Sequence, residues 1–114
     1  MKGIVKIMCS NIENKEIGII EKCVGEFQVW IPQLLPCKKC KIKIYEGENG
    51  RLCGCANVRI IMKYDNSPEG AVGWGKTITE VLTDAIKELL SLIKEEYPEG
   101  LKMKNIEYSD NSDF

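Results

Sequence analysis

Two closely spaced cysteine pairs are the feature of this sequence best suited to metal chemistry. Cys37 and Cys40 are separated by two residues and Cys53 and Cys55 by one, so four thiols lie within nineteen residues. Structural zinc takes four soft donors at the corners of a tetrahedron, and four cysteines are a common set. The sequence therefore predicts a four-cysteine zinc site over 37–55, which would be closed and structural rather than catalytic.

Other interpretations of these thiols stay open at the level of sequence. Reduced cysteines can simply pack in a core, and disulfides would need an oxidising compartment. A redox pair usually precedes a helix, whereas Cys40 leads into the strand-like alternation of 41–45. The remaining thiols, Cys9 and Cys23, stand in apolar segments and are expected in the core. The alternative is that one of them replaces Cys53 or Cys55 as a metal ligand.

A basic cluster surrounds the cysteines. Its members are Lys38, Lys39, Lys41, Lys43 and Arg51. Zinc held by four thiolates carries a net charge of about −2, which these cations would offset. The same cations could instead contact the phosphates of a nucleic acid. The sequence alone allows both roles.

Charge is divided unequally along the chain, although 16 basic and 17 acidic residues give a net charge of only −1. Residues 1–64 hold eleven cations and six anions, and residues 65–114 hold five cations and eleven anions. The sequence contains no histidine, which excludes serine–histidine catalysis and histidine metal ligands. We therefore expect a non-enzymatic protein.

The length of 114 residues predicts one domain over 1–108, followed by a flexible acidic tail over 109–114. Apolar residues make up 44% of the chain, as in globular proteins. Neither a signal peptide nor a run of about eighteen apolar residues is found. These features predict a cytoplasmic protein.

The hydrophobic patterns predict an α+β fold, with an antiparallel sheet of about four to six strands and one long helix on one face. Strand-like segments occur at 3–9, 17–24, 27–31, 42–45, 57–64, 71–75 and 101–108. The helix is predicted over about 77–96, because apolar residues recur at helical spacing throughout that range. Thr77 is its expected N-cap, with Glu80 completing a capping box.

The order of these features resembles a known family. From Leu34 to about Ile93 the chain reads Leu-Leu-Pro-Cys-x-x-Cys, hairpin, Cys-Gly-Cys, strand and Thr-x-x-Glu helix. This order resembles the small restriction-alleviation (Lar-like) zinc-ribbon proteins of phages and prophages. The resemblance implies a structural zinc ion and a protein that binds and modulates a host nucleic-acid defence complex, of the restriction or CRISPR type.

Two alternatives accompany this interpretation. The segment 70–80 resembles the strand–turn–helix of HicB-like antitoxin domains, and the basic cluster could make the chain a nucleic-acid-binding module. If a defence complex is the partner, the acidic half of the chain could present carboxylates where a nuclease expects phosphates. The candidate residues for that contact are Asp84, Glu88, Glu95 and Glu96.

Overall fold

The computed structural model describes residues 20–47 and 49–109. The strands are β1 (Lys22–Trp30), β2 (Lys39–Glu46), β3 (Leu52–Ile61), β4 (Pro68–Gly75) and β5 (Ile106–Tyr108). One α-helix, α1 (Ile78–Glu96), follows β4, and a short 3-10 helix (Met103–Asn105) precedes β5. The predicted α+β class is confirmed. The predicted strand at 3–9, Cys9 and the tail beyond residue 109 lie outside the described residues.

The sheet is antiparallel, with the strand order β1-β2-β3-β4, and β5 pairs with β3. β2 and β3 pair only from Ile42 opposite Ala56 to Glu46 opposite Leu52. Beyond that stretch β5 takes the position beside β3, because β4 already occupies the other side of Arg59. The hydroxyl of Tyr108 donates to the carbonyl of Lys39 at 3.2 Å and ties β2 to the end of the chain.

One face of the sheet carries the core. Burial alternates along β2 and β3, as a half-buried strand requires, and α1 covers the buried side. The helix contributes Val81, Ala85, Leu89 and Ile93 to this core, each no more than 2% exposed. The helix is therefore a packed element of the domain over most of its length.

The start of α1 follows the prediction with one difference. The hydroxyl of Thr77 accepts a hydrogen bond from Glu80 N at 3.2 Å, as an N-cap should. The carboxylate of Glu80, however, accepts from the backbone N–H of Lys76, one residue before the cap, at 2.9 Å. The turn that joins β4 to the helix is therefore fixed from both sides.

Two strand glycines set the distance between helix and sheet. A Cβ on Gly73 would lie 2.3 Å from the backbone nitrogen of Ala85, and a Cβ on Gly54 would lie 2.6 Å from Cγ1 of Val81. Both contacts are far shorter than ordinary packing allows. Glycine at 54 and 73 is therefore needed for the helix to lie directly on β3 and β4.

Two predictions near the start of the sheet were wrong. Gly25 was expected to separate two strands, but β1 runs through it with a register shift between Cys23 and Gly25. Glycine inside a strand commonly marks such a bulge. Cys23 was expected in the core but is exposed. The bulge changes which residues of β1 face the core: odd-numbered residues face it only after the bulge, and Cys23 lies before it.

Within the described residues, no helix is long and apolar enough to cross a membrane.

Candidate binding site

The face of the sheet turned away from α1, here called the open face, gathers most of the residues with functional potential. It is formed by alternate residues of four strands. They are Glu26, Gln28 and Trp30 of β1; Lys39, Lys41, Lys43 and Tyr45 of β2; Cys53, Cys55, Asn57 and Arg59 of β3; and Val72 and Trp74 of β4.

Three members of the predicted basic cluster form a row along β2. Lys39, Lys41 and Lys43 alternate with buried residues, so their side chains project from the same face. Successive lysines of this row stand about 6.8 Å apart along the strand, at about 3.4 Å per residue. Arg51 precedes β3 and extends the basic surface toward β4, whereas Lys38 lies in the turn before β2 with a positive φ of 75°.

Two exposed tryptophans lie at opposite corners of the open face. Trp30 is 59% exposed at the end of β1, and Trp74 is 50% exposed on β4. A cation lies over each ring, since Lys39 Nζ is 5.0 Å from the centroid of Trp30 and Arg51 Cζ is 4.7 Å from the centroid of Trp74. The face therefore carries flat aromatic surfaces beside positive charge.

The positive charge of the open face is only partly neutralised. Lys43 Nζ lies 3.8 Å from the carboxylate of Glu26, and Arg59 lies 3.9 Å from that of Glu107. Within residues 20–47 and 49–109, no salt bridge joins Lys39, Lys41 or Arg51 to a carboxylate. Among the described residues, the cations of this surface are Lys39, Lys41, Lys43, Arg51 and Arg59, and the anions are Glu26, Glu107 and Glu21, whose charge acts on Tyr45 and Cys53. The excess is suited to an anionic partner.

The four cysteines predicted to bind zinc are held as two separate pairs. Cys40 faces α1 and is only 2% exposed, and burial together with the nearby Cys37 raises the pKa of its thiol to about 11. Cys37 lies in the turn before β2, where its thiol donates to the carbonyl of Lys39 at 3.3 Å. This pair therefore belongs to the core side of the sheet.

Cys53 and Cys55 lie on the opposite face. Both are half-buried on β3, and Gly54 between them faces the helix. Burial is the largest cause that raises the pKa of the Cys53 thiol to about 12, followed by the nearby Cys55 and then by the charge of Glu21. Arg51 acts in the other direction and lowers the pKa of Cys53. These two thiols are therefore neighbours on the open face, and Arg51 is near Cys53.

The distance between the two pairs is fixed by the strand register. Lys43 of β2 lies opposite Cys55, and Tyr45 lies opposite Cys53. Cys40 is three and five residues from these positions, or about 10 and 17 Å along the strand at about 3.4 Å per residue. Thiolates that share one zinc ion are only about 4 Å apart, because each Zn–S bond is about 2.3 Å.

The placement of the cysteines therefore does not fit a single four-thiolate site. A zinc ion held by all four would require β2 and β3 to separate and one pair to turn to the other face. Among the described residues, no group of three or more Cys, Asp or Glu side chains is arranged to hold a metal. The four-cysteine site is not shown by this structure, and zinc binding stays a prediction.

The four acidic candidates divide into two kinds. The carboxylate of Asp84 accepts from the backbone N–H of Trp74 at 2.9 Å, and that of Glu96 accepts from the backbone N–H of Lys63 at 2.6 Å. These two groups therefore join the helix to the strands. Glu88 and Glu95 are exposed on α1, and they are the members of the set that face solvent.

Sequence reasoning identified these lysines as a basic cluster around the cysteines, not as a row on one face of the sheet, and it left open whether the large aromatic residues fill the core. Trp30, Tyr64 and Trp74 are all exposed. The sequence does carry a signal that Trp74 is exposed. Trp74 lies between Gly73 and Gly75, and a strand with glycine at these positions lacks the bulky side chains expected of a core strand. No comparable signal separates Trp30 from Val29 on β1.

Comparison of the chain with protein-family models, with curated proteins and with solved structures gave no match. The Lar-like and HicB-like resemblances therefore stay predictions.

Proposed function

We propose that this chain is a non-enzymatic binding protein and that the open face of its sheet binds single-stranded nucleic acid. The observation that carries the proposal is the lysine row of β2, which lies on the same face as two exposed tryptophans, Trp30 on the neighbouring β1 and Trp74 on β4 beyond β3. Proteins that bind single strands combine a positively charged track for the backbone with aromatic rings on which bases stack. The open face has both components on one surface.

The geometry favours a single strand over a duplex. In a duplex the flat surfaces of the bases are stacked on each other, so Trp30 and Trp74 would have no base to stack on. In a single strand those surfaces are accessible to aromatic side chains. Recognition of double-stranded RNA would instead need a lysine cluster at the start of the helix, where this chain has Lys76 followed by Glu80.

The proposal is tested by fluorescence anisotropy with labelled oligothymidine and oligouridine of about 12 nucleotides, a length within the ~4–16 nucleotides that one such surface covers. We expect binding at about 50 mM salt that weakens toward about 200 mM. Three phosphate contacts, from Lys39, Lys41 and Arg51, predict a slope of log K against log salt of about −2, at about 0.7 per contact.

Variants separate the two components of binding. Stacking is worth about 1–3 kcal/mol per base, so Trp74→Ala is expected to weaken binding about 5-fold or more, whereas Trp74→Phe keeps a ring and should lose less. Lys41→Glu should weaken binding and reduce the salt slope. The matched control is Lys87→Glu, which makes the same charge change at an exposed position of α1.

Two outcomes would overturn the proposal. One is a lack of affinity for either oligonucleotide at low salt in folded protein. The other is equal binding by wild type, Trp74→Ala and Lys41→Glu, which would place any contact elsewhere. Tighter binding to duplex than to single strand would also contradict the role given to the tryptophans.

Modulation of a host defence complex, with structural zinc, stays a prediction from the family resemblance, as does the HicB-like alternative. Asp84 and Glu96 already accept backbone hydrogen bonds within the domain, so charge reversal there would also disturb the fold. A test of acidic partner contacts should therefore use Glu88→Lys and Glu95→Lys. Pull-down from host lysate should lose its specific partner with these variants if the acidic contact is correct.

A further inference from the structure

We infer that a cleft at the end of the open face, between the β2–β3 turn and the β4–α1 turn, binds the terminal phosphate of a nucleic-acid strand. The inference rests on the proposed function and adds to it a site for the end of the strand. The cleft has a volume of about 680 Å³, within the roughly 300–1,000 Å³ of small-molecule sites. Residues of both turns line it, namely Asn49, Gly50, Arg51, Trp74, Gly75 and Lys76.

The strand register places two cations opposite each other across this cleft. Leu52 pairs with Gly75 at the end of β3 and β4, so Arg51 and Lys76 stand one residue beyond, one on each chain segment. Side chains directly opposite on paired strands have Cβ atoms about 4.5–5.5 Å apart, and like charges in that position destabilise the pair. In the part of the chain that the structure describes, neither cation has a salt bridge. An anion bound between them would offset the repulsion.

Trp74 holds one of these cations in place and gives the cleft a flat wall. Arg51 Cζ lies 4.7 Å from the centroid of the Trp74 ring, where the ring attracts a guanidinium. A guanidinium can form two parallel hydrogen bonds to a phosphate. The ring is still 50% exposed, so a terminal base can stack on it. The cleft therefore has one component for the phosphate of a nucleotide and another for its base.

The charge of the cleft matches a terminal phosphate better than a phosphate within a strand. A phosphate monoester carries about −1.5 to −2 charges at pH 7, whereas a phosphate within a strand carries about −1, so only the terminal group balances both cations. Glu80 does not line the cleft, and its carboxylate accepts from the backbone N–H of Lys76. The location agrees, because β2 runs from Lys39 toward the β2–β3 turn and its lysine row leads to the cleft.

The test compares oligothymidines of about 12 nucleotides that carry a phosphate at the 5′ end, at the 3′ end or at neither, with a fluorescent label on an internal base. Binding to the full chain is measured by anisotropy at about 50 mM salt. We expect a phosphate at one end to strengthen binding about 10-fold, roughly the effect of one hydrogen bond to a charged group. A phosphate at the other end should have little effect, because it lies away from the cleft.

Variants of Lys76 test which residues read the phosphate. Lys76→Gln removes one of the two opposed cations, so the ratio of affinities for phosphorylated and unphosphorylated strands should fall close to unity. Lys76→Arg keeps the charge and should keep most of the ratio. The matched control is Lys87→Gln on α1, which should keep the ratio in full. Lys76 is exposed and its hydrogen bond to Glu80 uses the backbone N–H, so each substitution preserves that bond.

The outcomes separate this inference from the proposed function. Equal affinity for phosphorylated and unphosphorylated strands would overturn the inference and leave the proposed function standing. An equal gain from a phosphate at either end would also overturn it, because added charge alone explains such a gain. Displacement of the phosphorylated strand by an equal concentration of thymidine monophosphate would overturn it by assigning the cleft to a free nucleotide. A lack of binding to every strand at low salt would overturn both.

Discussion

Substitution of Gly73 by alanine tests whether the helix lies directly on the sheet. The added Cβ would meet three backbone atoms: Ala85 N at 2.3 Å, Val81 O at 2.6 Å and Ala85 Cα at 2.8 Å. Packed carbon atoms prefer about 3.5–4.0 Å, and backbone atoms cannot rotate away as a side-chain end could. The helix would have to move by about 1 Å, which would disturb the fully buried Val81, Ala85 and Leu89.

Such overpacking costs about 1–3 kcal/mol and sometimes more, while replacing glycine lowers the entropy of the unfolded chain and recovers about 0.4–1 kcal/mol. Contacts with fixed backbone atoms put the cost at the upper end of that range, so we expect the free energy of unfolding to fall by about 2–2.6 kcal/mol, or a urea midpoint lower by about 1.5 M at a slope of about 1.5 kcal/mol/M. Gly70→Ala is the matched control on the same strand, because its Cβ would make an ordinary 3.6 Å contact with Arg59 Cγ. Equal urea midpoints for the two variants would refute the described helix packing.

Three further predictions concern single residues. Lys38 has a φ of 75°, so Lys38→Gly should stabilise the domain by about 1 kcal/mol, and a lower melting temperature would contradict this. Asp84→Ala should lower stability by about 1–2 kcal/mol by removing the acceptor of Trp74 N, and Asp84→Asn, which keeps an acceptor, should lose less in the same melt. In metal-free protein, burial raises the pKa of Cys40 to about 11. The contribution of this thiol to stability should therefore be full below about pH 8.5, where an unfolded thiol keeps its proton. It should fall as the pH rises toward 11. Cys40→Ala should flatten that fall in pH-dependent urea unfolding, and stability that rises over this range would count against the assignment.

The helix and the lysine row could be predicted because local pattern determines both. Apolar residues at helical spacing after a Thr77 cap lead to one buried face, and lysines that alternate with Ile42 and Ile44 must share the other face of a strand. The predicted α+β class follows from these two patterns. Three of the predicted basic residues share the open face, Lys38 lies in the turn before β2, and their contact with a nucleic acid stays a prediction.

The arrangement of the cysteines could not be predicted in the same way. Their spacing gives the number of donors but says nothing of strand register, and register decides which face each thiol occupies. β3 begins at Leu52 and runs through Cys53 and Cys55, where the sequence predicted a loop around a metal. Gly54 suits a tight metal loop and a strand packed under a helix equally well, so the long-range contact with Val81 decides between them.

The hydrogen bond from Trp74 N to Asp84 has a consequence for self-association. Among the described strands β4 has a neighbour on one side only, and the backbone groups along an unpaired strand invite pairing with another chain. Because a helix carboxylate already occupies the Trp74 N–H, an incoming strand would have to displace a charged acceptor of the same molecule. The Asp84 side chain, which joins the helix to β4, therefore also hinders the addition of another strand to the sheet. The ring of Trp74 stays available for a ligand, whereas the backbone N–H of Trp74 is already bonded.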